Sequence, residues 1–321
     1  MIFSRLANGR DVSDLKAGVA IGIDAGGTKT LAVLVDAEGR ELARADATGA
    51  NPWDVGPDAA QRAIATVIEP LLAGGGVRAV CLGSAGVDRD ADRAAAEADL
   101  RALVPTHIAI SVRNDAAASL TLAGPKRPAM VVIAGTGSIS YGEAADGSVT
   151  RVGGHGAIIG DAGSGSAFGL GAIRHTANAL DGCELRGLLA ESVIERLELH
   201  RALDIVERIQ RPELDVPLVA SLAPLVEQAY QGGDPAARHL VELEGNALAV
   251  NAKRVARTIR TKEPLPALLV GSIFGAFPEI RDRVKAGLRQ TGAMTIIETT
   301  ECVMGAARLA LDLAQASSAA R

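Results

Sequence analysis

The sequence predicts an α/β protein built from two copies of one supersecondary unit, each a mixed sheet flanked by helices. Two Gly/Thr turns, "GIDAGGTKT" at 22–30 and "IAGTGS" at 133–138, each join a buried apolar run to a second β-branched run. The order β-β-β-α-β-α-β-α can be read from both halves of the chain. Between the halves stands "GPKRP" at 124–128, the kind of Gly/Pro punctuation that interrupts regular structure.

Taken in order, the first half reads as strands 19–24, 31–36 and 41–46, helix 58–73, strand 78–83, helix 91–103, strand 108–112 and helix 116–123. The strands are short and apolar or β-branched, and the helices carry apolar residues at three- and four-residue spacing. The second half restarts at 129–154 with strand, glycine turn, strand, short turn and strand. Both copies run from the second strand into an Asp-containing turn, "VDAEGR" at 35–40 and "AADGSV" at 144–149. A helical stretch from 164–180 to about 260 follows as an insertion. Then come strand "ALLVGS", helix 278–290, strand "MTIIET" and a final helix 303–316. The domain organisation expected is an extension at 1–18 with no assigned role, a first domain at 19–124 and a second at 125–302.

A chain of 321 residues suits two domains that each bury a core. With 48% hydrophobic but 2% aromatic residues, that core must be mostly Ala, Val, Leu and Ile. A net charge of −5 without a basic block argues against a nucleic-acid surface. Cys81, Cys183 and Cys302 are far apart and show no C-x-x-C spacing. That pattern fits a reducing cytoplasm and no local zinc or iron–sulfur cassette, leaving open a site shared between subunits. The mean hydropathy of +0.20 does not imply a membrane protein, because the uncharged run 264–278 is too short to span and contains three prolines. Asp11 and Asp14 occupy the place where a signal peptide needs an apolar stretch.

The first turn looks like a phosphate loop, yet a P-loop needs G-x-x-x-x-G-K-[ST] followed by a helix. Here Thr28 separates Gly27 from Lys29, and "LAVLVD" continues as a strand, so the glycines turn a hairpin. Gly26 and Gly27 permit positive φ and close approach of backbone N–H groups to phosphate oxygens. Thr28 and Thr30 add hydroxyls, Lys29 a charge at the tip, and Asp24 a carboxylate suited to Mg²⁺ held through water. Gly135, Thr136, Gly137 and Ser138 repeat this chemistry in the second copy. Either hairpin alone reads equally as a tight turn. Two of them in matching positions point to one polyphosphate held across an interdomain cleft.

Asp115, in "VRNDAAAS", follows a strand and precedes a helix, where open α/β sheets place ligands. It reads as the base that accepts a hydroxyl proton in phosphoryl transfer, or as a helix N-cap. The stretch "GGHGAIIGDAGSGSAFGLG" at 153–171 holds eight glycines in nineteen residues, a density suited to backbone packed against ligand or strand. Its one carboxylate, Asp161, is alternatively an N-cap to a helix starting near Ser164, and His155 is alternatively a core or turn histidine. In "GANPWDVG", Asn51 offers an amide to sugar hydroxyls, and Trp53 either stacks on a sugar face or packs. "LVGSIFGAF" at 269–277, with Gly271, ends a strand in a turn against which a purine can lie.

In collinear order, "GIDAGGTKT", "GANPW", "RNDAAAS", "IAGTGS", "GGHGAIIGDAGSG", "LVGSIFGAF" and "VMGAARLAL" span about Val19 to Ala316. This succession resembles the N-acetylglucosamine kinase branch of the BadF/BadG/BcrA/BcrD ATPase family, in the actin/sugar kinase/Hsp70 superfamily. The resemblance implies two RNase H-like domains around a cleft, with the last helix (303–321) returning to the first domain. It implies ATP and Mg²⁺ as cofactors, a homodimer, and an acceptor that is a hexosamine such as N-acetylglucosamine or glucosamine. By it, Asp115 is the base and Thr28 and Thr136 contact ATP phosphates, while Ser272 and Ala276 sit near the adenosine. Asn51, Pro52, Gly154, His155, Gly156 and Asp161 line the sugar site, and Ser84 is counted with them. Two departures stand out: His155 occupies a place where these kinases often carry Trp, and Ala162 one that is usually acidic. An imidazole in place of an aromatic plate changes how the sugar's face or its 2-substituent is held. The related repressor/sugar-kinase family's clustered cysteine-and-histidine zinc motif is missing. Two other readings share the phosphate loops. One is an ATP-hydrolysing activator of a 2-hydroxyacyl-CoA dehydratase or benzoyl-CoA reductase, for which Cys183 is the cysteine placed to join a cluster. The other is a sugar sensor without turnover.

Overall fold

In a computed structural model of the chain, residues 19–124, 127–211, 213–259 and 261–319 are described. The expected extension at 1–18 lies outside them. They fall into two units, 19–124 with 301–319 and 127–300.

The first unit starts from a meander: β1 (Val19–Ala25), β2 (Lys29–Val35) and β3 (Glu41–Thr48) pair antiparallel in sequence. β1 is almost wholly buried, which suits its apolar run, whereas β3 buries only Leu42 and from Ala43 on alternates half-buried and exposed positions, as an edge strand with one solvated face does. β2 begins two residues earlier than expected because the Gly26 N–H reaches the Lys29 carbonyl at 3.0 Å and shortens the loop to 26–28. A four-residue helix α1 (Pro52–Val55), absent from the sequence reading, is started by Asn51 as cap and Pro52 at the first helical position. Along α2 (Pro57–Leu72), residues Ala60, Ala63, Ile64, Val67, Ile68 and Leu71 form the helical stripe that covers the sheet. Then follow β4 (Val77–Ser84), α3 (Asp90–Leu103), β5 (Ala109–Asn114) and α4 (Asp115–Ser119). The helix expected at 116–123 is split, its second half tightening into a 3₁₀ turn at Leu120–Ala123. The strand order is β3-β2-β1-β4-β5, with β1, β4 and β5 mutually parallel.

The second unit repeats the plan with β6 (Ala129–Ala134), β7 (Ser138–Glu143) and β8 (Val149–Gly153). The helical insertion resolves into α5 (Gly165–Leu180), α6 (Leu188–Leu197), α7 (Ala202–Gln210), α8 (Val216–Ala220), α9 (Ala223–Gln231) and α10 (Pro235–Thr258). β9 (Leu265–Val270) ends earlier than expected, since Gly271 at φ +117° turns the chain into α11 (Ser272–Ala276). α12 (Pro278–Arg289) and β10 (Met294–Thr299) complete a sheet ordered β10-β9-β6-β7-β8. Its core is aliphatic apart from Phe168, Phe274 and Phe277, and the rings of Phe168 and Phe277 stack with centroids 4.6 Å apart. Such a pair adds about 0.5–1.5 kcal/mol beyond its buried area.

The last helix, α13 (Val303–Ala319), packs on β1, β2 and β4 of the first unit. Its approach is close. A Cβ on Gly22 would come within 2.2 Å of the Ala307 nitrogen, and one on Gly305 within 2.4 Å of the Ala118 carbonyl. A meander beside two parallel strands, with the same order in both sheets, is the RNase H-like arrangement of actin-like sugar kinases.

Candidate functional site

Because β1, β4 and β5 run parallel, their carboxyl ends share one edge of the sheet, and Ala25, Ser84 and Asn114 stand in one register row. That edge gathers Asp24, Ser84 and Asp115 from positions far apart in sequence. The antiparallel β2 brings Lys29 and Thr30 to the same edge. The 26–28 loop is braced by the end of β3. Ala50 N–H donates to the Gly26 carbonyl at 3.0 Å, and a Cβ on Gly49 would lie 2.0 Å from the Gly27 oxygen. Thr30 is fully buried and its hydroxyl donates to the Thr48 carbonyl at 2.8 Å, so it joins β2 to β3. Thr28 and Lys29 are the exposed side chains of the turn.

At Asp115 the two readings left by the sequence separate. The N-cap is Asn114, whose Oδ1 accepts the Ala116 N–H at 2.9 Å and whose Nδ2 donates to Asp88 at 2.7 Å. Asp115 is the first helical residue, half-buried, with Oδ1 also accepting from the Ala116 N–H at 2.8 Å. Gly83 makes this possible, since a Cβ there would lie 2.9 Å from that of Ala118 and 3.8 Å from the Asp115 Cα. Burial, and then the negative charge of Asp115, push the Asp24 carboxyl up to about 7. Cys302, at the start of α13, borders both groups: burial first, then the charges of Asp24 and Asp115, push its thiol up to about 12. The sequence reading missed Gly49, Gly83 and Cys302. The glycines carry no local signal beyond their identity, and Cys302 arrives from the far end of the chain.

Asn51 caps α1, accepting from the Trp53 N–H at 3.2 Å, while its Nδ2 donates to Asp54 at 2.7 Å. Its amide has a second hydrogen and a second lone pair. Pro52 is the first residue of α1. Trp53 is 65% exposed and lies outside the core, its ring against Gly86, where a Cβ would come within 2.6 Å of it. Its indole N–H donates to the Gly86 carbonyl at 3.0 Å, and the Arg89 guanidinium lies 5.0 Å from the ring centroid. Ser84 is buried and donates to the Ala85 carbonyl at 3.1 Å.

In the second unit, β6 and β9 end side by side, with Ile133 opposite Val270, and β7 starts next to them. This places 135–138, 271–276 and the loop after β8 at one edge. The hairpin is held by the first turn of α5: Gly165 N–H donates to Gly135 O at 2.8 Å, and Ser166 donates to Thr136 O from N at 3.0 Å and from Oγ at 2.6 Å. Gly137 O accepts the Gly135 N–H at 2.9 Å. Ser138 is buried, its hydroxyl donating to Ala162 O at 2.7 Å. Gly271 has no room for a side chain, because a Cβ would lie 2.1 Å from the Ala134 oxygen. Ser272 is exposed and Ala276 half-buried. His155 and Gly156 are exposed and Gly154 is half-buried, with the Arg151 guanidinium bonded to the Gly154 carbonyl. Asp161 is buried and left-handed at φ +59°, a conformation that costs on the order of 1–3 kcal/mol for a residue with a side chain. The helix cap is Ser164, not Asp161: Ser164 Oγ accepts the Ala167 N–H at 3.1 Å.

Two RNase H-like units, each presenting a Gly/Thr hairpin at the carboxyl edge of its sheet, make the two-domain fold of actin-like sugar kinases. The chain matches the BadF/BadG/BcrA/BcrD ATPase family over residues 21–310 and belongs to it. An N-acetyl-D-glucosamine kinase of Dictyostelium discoideum is 31% identical over 312 residues, covering 92% of this chain and 98% of the relative. An N-acetylmuramic acid/N-acetylglucosamine kinase of Clostridium acetobutylicum is 34% identical over 181 residues, 56% of this chain and 59% of the relative. Among solved structures, a candidate N-acetylglucosamine kinase from Chromobacterium violaceum superposes with a TM-score of 0.70 at 26% identity, over 92% of this chain and 99% of that one. Among the described residues, no helix is long and apolar enough to cross a membrane.

Proposed function

We propose that this protein is an ATP-dependent kinase that phosphorylates a hydroxyl of a hexosamine, N-acetylglucosamine or glucosamine. It is a phosphotransferase with an alcohol group as acceptor. The observation that carries the reading is the pairing of Asp24 and Asp115 at the sheet edge that also presents the Gly26–Thr30 hairpin. The names of the two relatives support the amino-sugar class.

In this reading the backbone of Gly26 and Gly27 with Thr28, and that of Gly135 and Gly137 with Thr136, contact the phosphates. Gly271, Ser272 and Ala276 border the adenosine, and Thr30 and Ser138 act from beneath by fixing the hairpins. Asp115 accepts the proton of the sugar hydroxyl, an act worth about 10²–10⁴-fold in rate. Bound Mg²⁺ supplies charge neutralisation on the phosphates. Asp24 fits that ion: its carboxyl, pushed up by burial and by Asp115, is one that a nearby cation would return to the ionised form. Asn51, Pro52, Ser84, Gly154, His155, Gly156 and Asp161 surround the sugar. A homodimer and a cytoplasmic location belong to the same reading.

The test is ADP release measured across free, N-acetylated and N-acetylmuramyl hexosamines with a plain hexose as control. Release that depends on N-acetylglucosamine or glucosamine is the expected result. Equal release with and without sugar would instead identify an ATP-hydrolysing activator.

A further inference from the structure

Asp161 does more than border the sugar loop. Its Oδ1 accepts the Gly156 N–H at 3.2 Å, while its Oδ2 occupies the space beside Gly137, where a Cβ would come within 2.7 Å of it. One buried carboxylate therefore touches both the loop that carries His155 and the hairpin 135–138. The turn beneath it is pinned from several sides. Ser164 N–H donates to Asp161 O at 3.1 Å, Ser138 Oγ to Ala162 O at 2.7 Å, and Gly163 N–H to Glu244 on α10 at 2.8 Å. Leu248 closes the remaining side, 2.9 Å from where a Gly163 Cβ would be. These contacts hold Asp161 in its left-handed conformation. The sugar loop is itself closed by Gly160 N–H on Gly156 O at 2.9 Å, so fixing Gly156 fixes the whole turn.

We propose that Asp161 is a positioning residue that straps the 154–160 loop to the Gly135–Ser138 hairpin, so that sugar and nucleotide contacts in this unit are set together. The ligand assignments rest on the kinase reading; the strap itself does not. Asp161→Gly keeps the backbone conformation and removes the carboxylate. Asp161→Asn keeps an acceptor at Oδ1 and a residue type that tolerates positive φ.

Two measurements on the full chain, with thermal melts as a folding check, test the strap. Amide hydrogen exchange needs no ligand: Asp161→Gly should speed exchange in segments 135–138 and 154–160 together, and Asp161→Asn should restore protection. Calorimetric binding of a non-hydrolysable ATP analogue and of N-acetylglucosamine should each weaken by about tenfold in Asp161→Gly and recover to within about threefold in Asp161→Asn, the scale of one lost charge-assisted hydrogen bond. Unchanged exchange in either segment overturns the strap. So does loss of sugar binding with analogue binding intact, which makes Asp161 a sugar ligand alone. A wild-type chain that binds neither molecule removes the kinase reading, while the exchange result still decides the strap.

Discussion

The two Gly/Thr hairpins echo one another in sequence but are held in place by different means. The 26–28 loop is fixed by backbone: the end of β3 lies against it so closely that Gly49 has no space for a methyl group. The 135–137 turn is fixed by a helix terminus and hydroxyls, with Gly165, Ser166 and Ser138 supplying the bonds. Their carboxylates differ as well. Beside the first hairpin, burial and then the charge of Asp115 raise Asp24. Beside the second, Asp161 turns inward onto Gly156 and Gly137. Like turns therefore sit in unlike settings: the first lies beside two carboxylates that feel one another's charge, and the second beside a carboxylate tied to backbone.

The largest test of that contrast is Asp115→Asn. It should lower kcat by about 10²–10⁴-fold while leaving binding of a non-hydrolysable ATP analogue unchanged. A variant at wild-type rate with the best sugar would move the base elsewhere and erase the asymmetry. Next come Gly49→Ala and Gly271→Ala, which drive a methyl group to within 2.0 Å of Gly27 O and 2.1 Å of Ala134 O. Each should destabilise its own unit by about 2–3 kcal/mol, seen as a drop of several degrees in its melting transition, and weaken the ATP analogue. Gly271→Ala should be the worse, because its φ of +117° adds backbone strain to the clash. A neutral outcome at either position would mean that its hairpin yields more readily than the packing implies.

Much of this was legible from letters alone. Strand–turn–strand repeats and helical stripes give the strands of both sheets and the longer helices outside the insertion, since β1, β6 and α2 bury what their apolar periods say they should. The insertion reads only as one helical stretch, and α1 and α11 are too short to show a period. Asp115 was legible as a choice between base and cap. The cap needed coordinates to assign, because Asn114 and Asp115 are equally good caps by type and only geometry shows that Asn114 takes it. Cys302 beside Asp24 was illegible, since that contact depends on α13 crossing back over β1 at Gly22. Asn51, Thr30 and Ser138 were legible as polar residues near a ligand. That their side chains brace the fold is visible only in their partners Asp54, Thr48 and Ala162.

A third test concerns the first unit's carboxylates. With Asp24 raised from 3.8 to about 7, the folded state favours the protonated form. Its contribution is fully present below about pH 4 and is lost as pH rises through about 7. The wild-type melting temperature should thus fall relative to that of Asp24→Asn across this window, then run parallel above it. A constant gap from pH 4 to pH 8 would show that Asp24 keeps an ordinary carboxylate's behaviour and that the pair is not coupled.

The smallest effect should come from Lys29→Ala. In a P-loop the lysine reaches the β- and γ-phosphates from a loop that leads into a helix. Here Lys29 is the first residue of β2, exposed, with its carbonyl bonded to Gly26. An exposed charge even 4 Å from a phosphate gains only about 1 kcal/mol in water, and salt screens it over about 8 Å. Its loss should raise KM for ATP by no more than about fivefold and leave kcat alone, with the difference shrinking as salt is added. Thr28→Ala, removing the exposed hydroxyl of the same turn, should cost more. If the lysine variant instead lost affinity a hundredfold while the threonine variant did not, phosphate would be held by a side-chain charge in the first hairpin. In that case the two turns would differ in chemistry as well as in bracing.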